Sequence, residues 1–225
     1  MQNMKPRDFD KIGKSNVICS KFMTVSSHHV ASSVGIDILK DGGNAVDAAV
    51  AMSAVLCIAE PHMTGIGGDC FAMLSIDGSS DIKALNASGR SSENSNAKDL
   101  RMNGIKFIKS DMPDAITIPG AISGWSLIHK EYGYMPWKQI FQPAINFAKS
   151  GIIVHERVAY DWAKNIDKLL VDLDTSNIFL NKKKPYNFTE NFKNKNLLNT
   201  FETIASEGSD GFYNGWVADD MLEKL

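Results

Sequence analysis

The chain has 225 residues, 44% hydrophobic and 22% charged, with 24 Lys and Arg against 26 Asp and Glu and a formal charge of −2. That composition excludes wholesale disorder, and a chain of this length buries about 70% of its unfolded surface. The near-neutral balance lacks the basic footprint of a nucleic-acid or anionic-membrane binder, and no apolar run reaches the ~18–20 residues of a membrane span.

Along the chain, Met1 to Ser15 is charged and polar, without an apolar stretch of signal-peptide length. The expected location is therefore the cytoplasm. Val17-Ile18-Cys19 reads as a short strand. Val30, Ala31, Val34, Ile38 and Leu39 recur at helical spacing, and Asp41-Gly42-Gly43 supplies the residues of a left-handed C-terminal cap. Asn44 opens a second helix, with Asp47 three residues on in a capping-box position. From Ala45 to Ala59 that helix is apolar on nearly every side, which predicts burial between two layers. Pro61 ends it.

The Gly-rich segment Thr64-Gly65-Ile66-Gly67-Gly68-Asp69 follows, then the apolar run Cys70 to Ile76, read as a buried strand. Asp77-Gly78 is a turn, and Ile82 to Leu85 returns to complete a hairpin. The order helix, Gly-rich loop, strand is the reverse of a phosphate-binding loop, whose glycines precede a helix N-terminus. Ser91 to Asp111 reads as an irregular loop with short elements, and Ile116 to Ile118 as a strand. Helices are predicted from Ala121 to Tyr132 and from Trp137. Pro143 is expected to break the latter and start a fresh helix at Ala144, ending at Gly151. Val158, Trp162, Ile166, Leu169 and Leu170 predict one longer amphipathic helix after His155. Residues 171–196 carry three consecutive lysines and several asparagines and are expected to form an exposed loop. Helices from Leu197 to Ala205 and from Trp216 to Leu225 close the reading, with residues 1–225 taken as a single domain.

No complete catalytic constellation is legible. His28, His29, His62, His129 and His155 lack the spacing of a zinc site, and His28 and His29 on one helix would point about 100° apart. There is no G-x-S-x-G elbow. Asp47 reads as a cap first and a catalytic acid a distant second. Cys19, Cys57 and Cys70 form no C-x-x-C pair, so neither a disulfide framework nor a thiolate metal site is expected.

Several segments nevertheless carry a colinear resemblance. Val30 to Ala51, Glu60-Pro61-His62-Met63-Thr64-Gly65-Ile66-Gly67-Gly68-Asp69-Cys70-Phe71, Ile118 to Trp125, Tyr132 to Trp137, Gln142 to Gly151 and Gly211 to Ala218 resemble the large subunit of the γ-glutamyltranspeptidase family. The resemblance implies an α+β fold, the αββα sandwich of N-terminal-nucleophile hydrolases, here incomplete. It implies a precursor that cuts itself ahead of a threonine, whose hydroxyl then attacks γ-glutamyl amides such as glutathione. That threonine's free α-amine, with a pKa near ~7.7–8.0, serves as its own base, so no cofactor is implied.

The nucleophile of such enzymes lies in a Thr-Thr-His type motif that opens the small subunit. The threonines at 24, 64, 117, 175, 189, 200 and 203 are never adjacent to one another and never precede a histidine. The resemblance therefore implies the N-terminal portion of a precursor, with no catalytic residue in this chain, no activity by itself, and a small subunit as partner. In many relatives an Arg ahead of a short tripeptide binds the substrate α-carboxylate. The corresponding stretch is Asn86-Ala87-Ser88-Gly89-Arg90-Ser91-Ser92, which makes Arg90 the candidate ligand, although out of register. Asp69-Cys70 also stands where a further glycine is usual, a variant of a divergent branch that includes amidohydrolases and acylases. Two alternatives follow: an amidohydrolase for another small acidic amide, or a non-catalytic partner subunit.

Overall fold

The computed structural model describes residues 16–109 and 112–224. Its core is built on two helices whose ends are set by local chemistry. Helix α1, His29–Lys40, starts where the His28 Nδ1 accepts from Val30 N at 3.3 Å. It stops where Gly42 takes a φ of 96° and Gly43 N donates to Ile38 O at 3.0 Å, closing a Schellman-type cap. Helix α2, Ala45–Ala59, carries the predicted capping box: Asn44 accepts from Asp47 N, and Asp47 accepts from Asn44 N. As predicted, α2 is buried on nearly all sides, Ala51, Ala54, Val55 and Ile58 completely so.

Two further helices pack on α2, α4, Ala121–Tyr132, and α5, Trp137–Ser150, and a third, α9, Lys195–Glu207, packs on α5. The chain first runs through the antiparallel hairpin of β1, Cys70–Ser75, and β2, Ile82–Ala87, and the short α3, Ala97–Met102. The α5 face of Ile140, Phe141, Ala144, Ile145 and Ala148 is buried against α2 and α9. The Phe141 ring sits 4.7 Å from Trp137 and 5.8 Å from Phe201 of α9, centroid to centroid. Asp47, fully buried, reaches beyond its own helix. It accepts from Tyr134 N at 3.1 Å and Met135 N at 3.2 Å, which ties the start of α2 to the α4–α5 turn. Asn44 Nδ2 adds a 2.6 Å bond to Tyr132 O.

Several expectations are corrected. Val17 to Cys19 forms no strand; Val17 and Ile18 lie exposed. Pro143 does not break its helix, since α5 runs through it. The lost bond concerns the carbonyl of Gln139, an exposed residue, while the apolar face on both sides of Pro143 stays packed. The helix after His155 is divided at Asn165 into α6, Glu156–Lys164, and α7, Ile166–Leu169, with Asn165 Nδ2 donating to Asp161 O at 2.8 Å. Segment 171–196 is more than a loop. It holds α8, Leu173–Phe179, and β4, Asn191–Phe192, which pairs with β3, Ile152–Ile153. Leu180 and Phe192 anchor it, Phe192 lying edge-on to Trp162 at 5.0 Å.

The hairpin is not buried on both faces. Phe71 and Met73 are 68% and 79% exposed, whereas Cys70, Leu85 and Ala87 lie against Gly124 of α4. Ile116 to Ile118 contributes one bridge, Ser91 to Thr117, rather than a strand. The expected strand layers are represented, among the described residues, by two two-stranded sheets. The chain closes with α10, Asp210–Tyr213, and α11, Trp216–Lys224. Among the described residues no helix is long and apolar enough to cross a membrane.

Candidate functional site

Three segments far apart in sequence meet beside the hairpin. The Gly-rich loop after α2 presents Gly68 O to Gly120 N and Ala121 N, both at 2.9 Å, and so fixes the start of α4. Asp69 Oδ1 accepts from Gly89 N at 3.1 Å and lies 3.4 Å from Thr117 Oγ1. Ile118 N donates to Arg90 O at 2.9 Å. The backbones then approach so closely that only glycine fits. A Cβ on Gly89 would lie 1.7 Å from Ile118 O, and one on Gly120 would lie 2.0 Å from Ala87 O.

These contacts frame an open cavity of about 390 Å³ lined by residues 87–90 and 118–120 together with Ser123 and Tyr213. Tyr213, from α10, donates its hydroxyl to Pro119 O at 2.7 Å and accepts from Ser123 N at 3.0 Å. Burial pushes this phenol upward, so it remains protonated at neutral pH. Arg90 lies on the cavity wall, exposed, and among the described residues no hydrogen bond or ion pair holds its guanidinium. A free guanidinium at a cavity is a natural bidentate partner for a carboxylate.

Cys70, the nearest thiol in sequence, is not primed for attack. Burial raises its pKa, and a bond to Trp125 only partly opposes that. An unactivated thiol is a poor nucleophile at neutral pH. Cys57 is buried in α2 and pushed up to about 12. Among the described residues no group of three His, Cys, Asp or Glu side chains is arranged to hold a metal.

Three of the five histidines gather elsewhere. His28 and His29 do not splay as helical neighbours would; their rings stack at 4.8 Å because His28 is the extended N-cap rather than a helical residue. His155 packs 5.5 Å from His28 and 5.3 Å from His29. Burial, reinforced by those two neighbours, pushes His28 down to about 4. In the unfolded chain it titrates near its ordinary 6.5, so the folded chain binds fewer protons between about 4 and 6.5. Stability contributed by neutral His28 is thus complete above pH 6.5 and declines as pH falls towards 4, at up to about 1.4 kcal/mol per pH unit. Urea unfolding at pH 7, 6 and 5 is expected to reveal that slope in the wild type and a shallower one in His28→Asn, which keeps a capping side chain. Equal slopes would contradict the assignment.

Arg90, the candidate ligand expected from the sequence, lines this cavity; Asp69, Thr117 and Tyr213, which meet the same segments, were not expected there. Asp69 had a visible mark, a carboxylate where a glycine is usual. Tyr213 lay in a matched motif that says nothing about which distant backbone its hydroxyl reaches.

The helical layer and hairpin define the class. The chain has the α+β fold of the N-terminal-nucleophile hydrolases. It matches the cephalosporin acylase of Bacillus halodurans with a TM-score of 0.87 and 29% identity, over 96% of this chain and 42% of that one. It matches Helicobacter pylori gamma-glutamyltranspeptidase with a TM-score of 0.84 and 26% identity, over 94% and 61%. The family model described as Gamma-glutamyltranspeptidase covers residues 31–225, and the chain belongs to that family. Among curated relatives, the Glutathione hydrolase-like YwrD proenzyme of Bacillus subtilis (strain 168) is 36% identical over 210 residues, 93% of this chain and 40% of that protein. The chain thus spans about two fifths of that relative's length.

Proposed function

We propose that this chain is the N-terminal, large-subunit portion of an enzyme that cleaves γ-glutamyl amides such as glutathione, and that Arg90 binds the substrate α-carboxylate. The observation that carries the reading is the Arg90 guanidinium, without a partner among the described residues, on the wall of the cavity between residues 87–90 and 118–120. The similarity to a glutathione hydrolase-like proenzyme supports the substrate class. The attacking group is a threonine at the start of a small subunit, activated by its own α-amine. This polypeptide by itself is inactive in this reading, because no threonine here stands in a Thr-Thr or Thr-His pair. The exposed Phe71 and Met73 side chains suit a strand layer contributed by that partner.

Within the site the chain's own residues bind and orient. Arg90 pairs with the carboxylate, and the close backbone contact at Gly89 and Gly120 keeps the cavity wall rigid. In the enzyme expressed from its complete gene, Arg90→Ala is expected to raise KM for L-γ-glutamyl-4-nitroanilide about 10- to 100-fold with little change in kcat. This corresponds to the loss of about 1.5–3 kcal/mol for a charged hydrogen bond. An unchanged KM would overturn the assignment.

A second reading keeps the mechanism and changes the substrate to another small amide. The out-of-register position of Arg90 and the similarity to a cephalosporin acylase favour it. Turnover of non-glutamyl amides with undetectable cleavage of the glutamyl anilide would select this second reading.

A further inference from the structure

Arg90 has no side-chain partner of its own among the described residues, and what the structure fixes is the main chain from which its guanidinium extends. That backbone is gripped on both sides. Immediately before it, Gly89 N donates to Asp69 Oδ1 at 3.1 Å; at the residue itself, Arg90 O accepts from Ile118 N at 2.9 Å. The segment that holds Arg90 O is fixed at each end. Thr117 Oγ1 lies 3.4 Å from the same Asp69 oxygen, and Pro119 O takes the Tyr213 hydroxyl at 2.7 Å. Asp69 thus contacts both segments that bear the cavity, and Tyr213 closes the far end by also accepting from Ser123 N at 3.0 Å.

Asp69 itself is exposed, so it is not needed to fill the core. Replacement of the backbone-approach residues Gly89 and Gly120 would separate the segments, whereas Asp69 acts through hydrogen bonds and the Tyr213 hydroxyl through two, its ring being packed on the core. Hydrogen bonds that fix a binding group reduce the entropy lost on capture of its ligand, which raises affinity without adding a contact.

We propose that Asp69 is a positioning residue for the Arg90 guanidinium, with Tyr213 holding the opposite end of the same wall, and that the pair sets affinity for the substrate carboxylate. The assignment rests on Arg90 as the carboxylate ligand. Neither side chain takes part in bond breaking; each acts through the main chain of residues 89–90 and 117–119.

The test is steady-state kinetics of the enzyme made from its complete gene, with L-γ-glutamyl-4-nitroanilide and with its decarboxylated counterpart, 4-aminobutyryl-4-nitroanilide. Asp69→Ala is expected to raise KM for the carboxylate-bearing substrate about tenfold, with kcat within about twofold and with KM for the decarboxylated substrate unmoved. Asp69→Asn, which retains an acceptor for Gly89 N, is expected to restore most of the affinity. In an Arg90→Ala background, Asp69→Ala is expected to add nothing further. Tyr213→Phe keeps the ring and removes only the hydroxyl; it provides the same split, about threefold or more in KM, should Asp69→Ala fail to fold.

Equal losses on both substrates, or an Asp69→Ala effect that simply adds to that of Arg90→Ala, would overturn the assignment. If Arg90→Ala raises KM while Asp69→Ala and Tyr213→Phe do not, the positioning role alone is wrong. If Arg90→Ala leaves KM unchanged, the carboxylate reading and this one fall together.

Discussion

Asp47→Ala is expected to destabilise the chain by about 3–5 kcal/mol, the cost of removing one partner from a buried charged network. The carboxylate is fully buried and accepts from the backbone N–H groups of Asn44, Tyr134 and Met135, with His129 Nε2 3.4 Å away. Alanine leaves those donors without an acceptor in a dry interior, at about 1–3 kcal/mol for each unsatisfied group. It also leaves the α1–α2 turn tied to the α4–α5 turn only through the Asn44 Nδ2 bond to Tyr132 O. Against a typical total of about 5–15 kcal/mol, such a loss would leave the chain marginal. Asp47→Asn retains an acceptor and is expected to cost roughly half as much. Urea midpoints at pH 7 check both values, and a loss under about 1 kcal/mol for the alanine variant would mean that the cap is solvated and the long-range bonds contribute little.

Phe141→Ala is expected to cost about 3–5 kcal/mol, the range for a large aromatic removed from a core that cannot collapse. Its ring is completely buried and is shared by three helices, with Trp125 of α4 at 6.4 Å, Trp137 of its own α5 at 4.7 Å and Phe201 of α9 at 5.8 Å. Rigid aromatic walls leave a cavity that small shifts cannot fill, and so the upper half of the range is expected. Phe141→Leu retains most of the volume and is expected to cost less than about 1.5 kcal/mol. Thermal unfolding of the two variants distinguishes ring packing from mere apolar volume: a similar drop in midpoint for both would contradict the prediction and show that the volume leucine retains does not replace the ring.

The two opening helices were legible because their signals are local. Asp41-Gly42-Gly43-Asn44 contains a helix stop and a helix start within four residues, and both caps form as their side chains and backbone freedom dictate. The second half of Asp47's role was not legible, since Tyr134 and Met135 lie 87 and 88 residues away. At Pro143 the local rule lost to packing. One missing bond at an exposed turn weighs less than the continuous buried face of Ile140, Phe141, Ala144 and Ile145. For β1, an apolar run could not say which face would be covered, and Phe71 and Met73 are on the open one.

The site divides in the same way. Arg90 was a candidate through resemblance, and the cavity that it lines depends on contacts that sequence spacing does not encode. Asp69 reaches 20 residues to Gly89 and 48 to Thr117, and Tyr213 reaches 94 to Pro119. Periodicity and capping rules act within a few turns, so a polar side chain's distant backbone partner is outside their range. The same limit explains the histidines. Spacing along a helix treated His28 and His29 as diverging neighbours, but the cap geometry of His28 turned its ring onto both His29 and His155.

The proposal that this chain is one part of a self-processing amide hydrolase, with its nucleophile on a small subunit, has a direct test. Intact-mass and N-terminal sequence analysis of the protein produced from its complete native gene tests that claim most directly. Two polypeptides are expected, the larger containing the present sequence and the smaller beginning with threonine. A single uncut polypeptide with no threonine-led fragment would contradict the proposal.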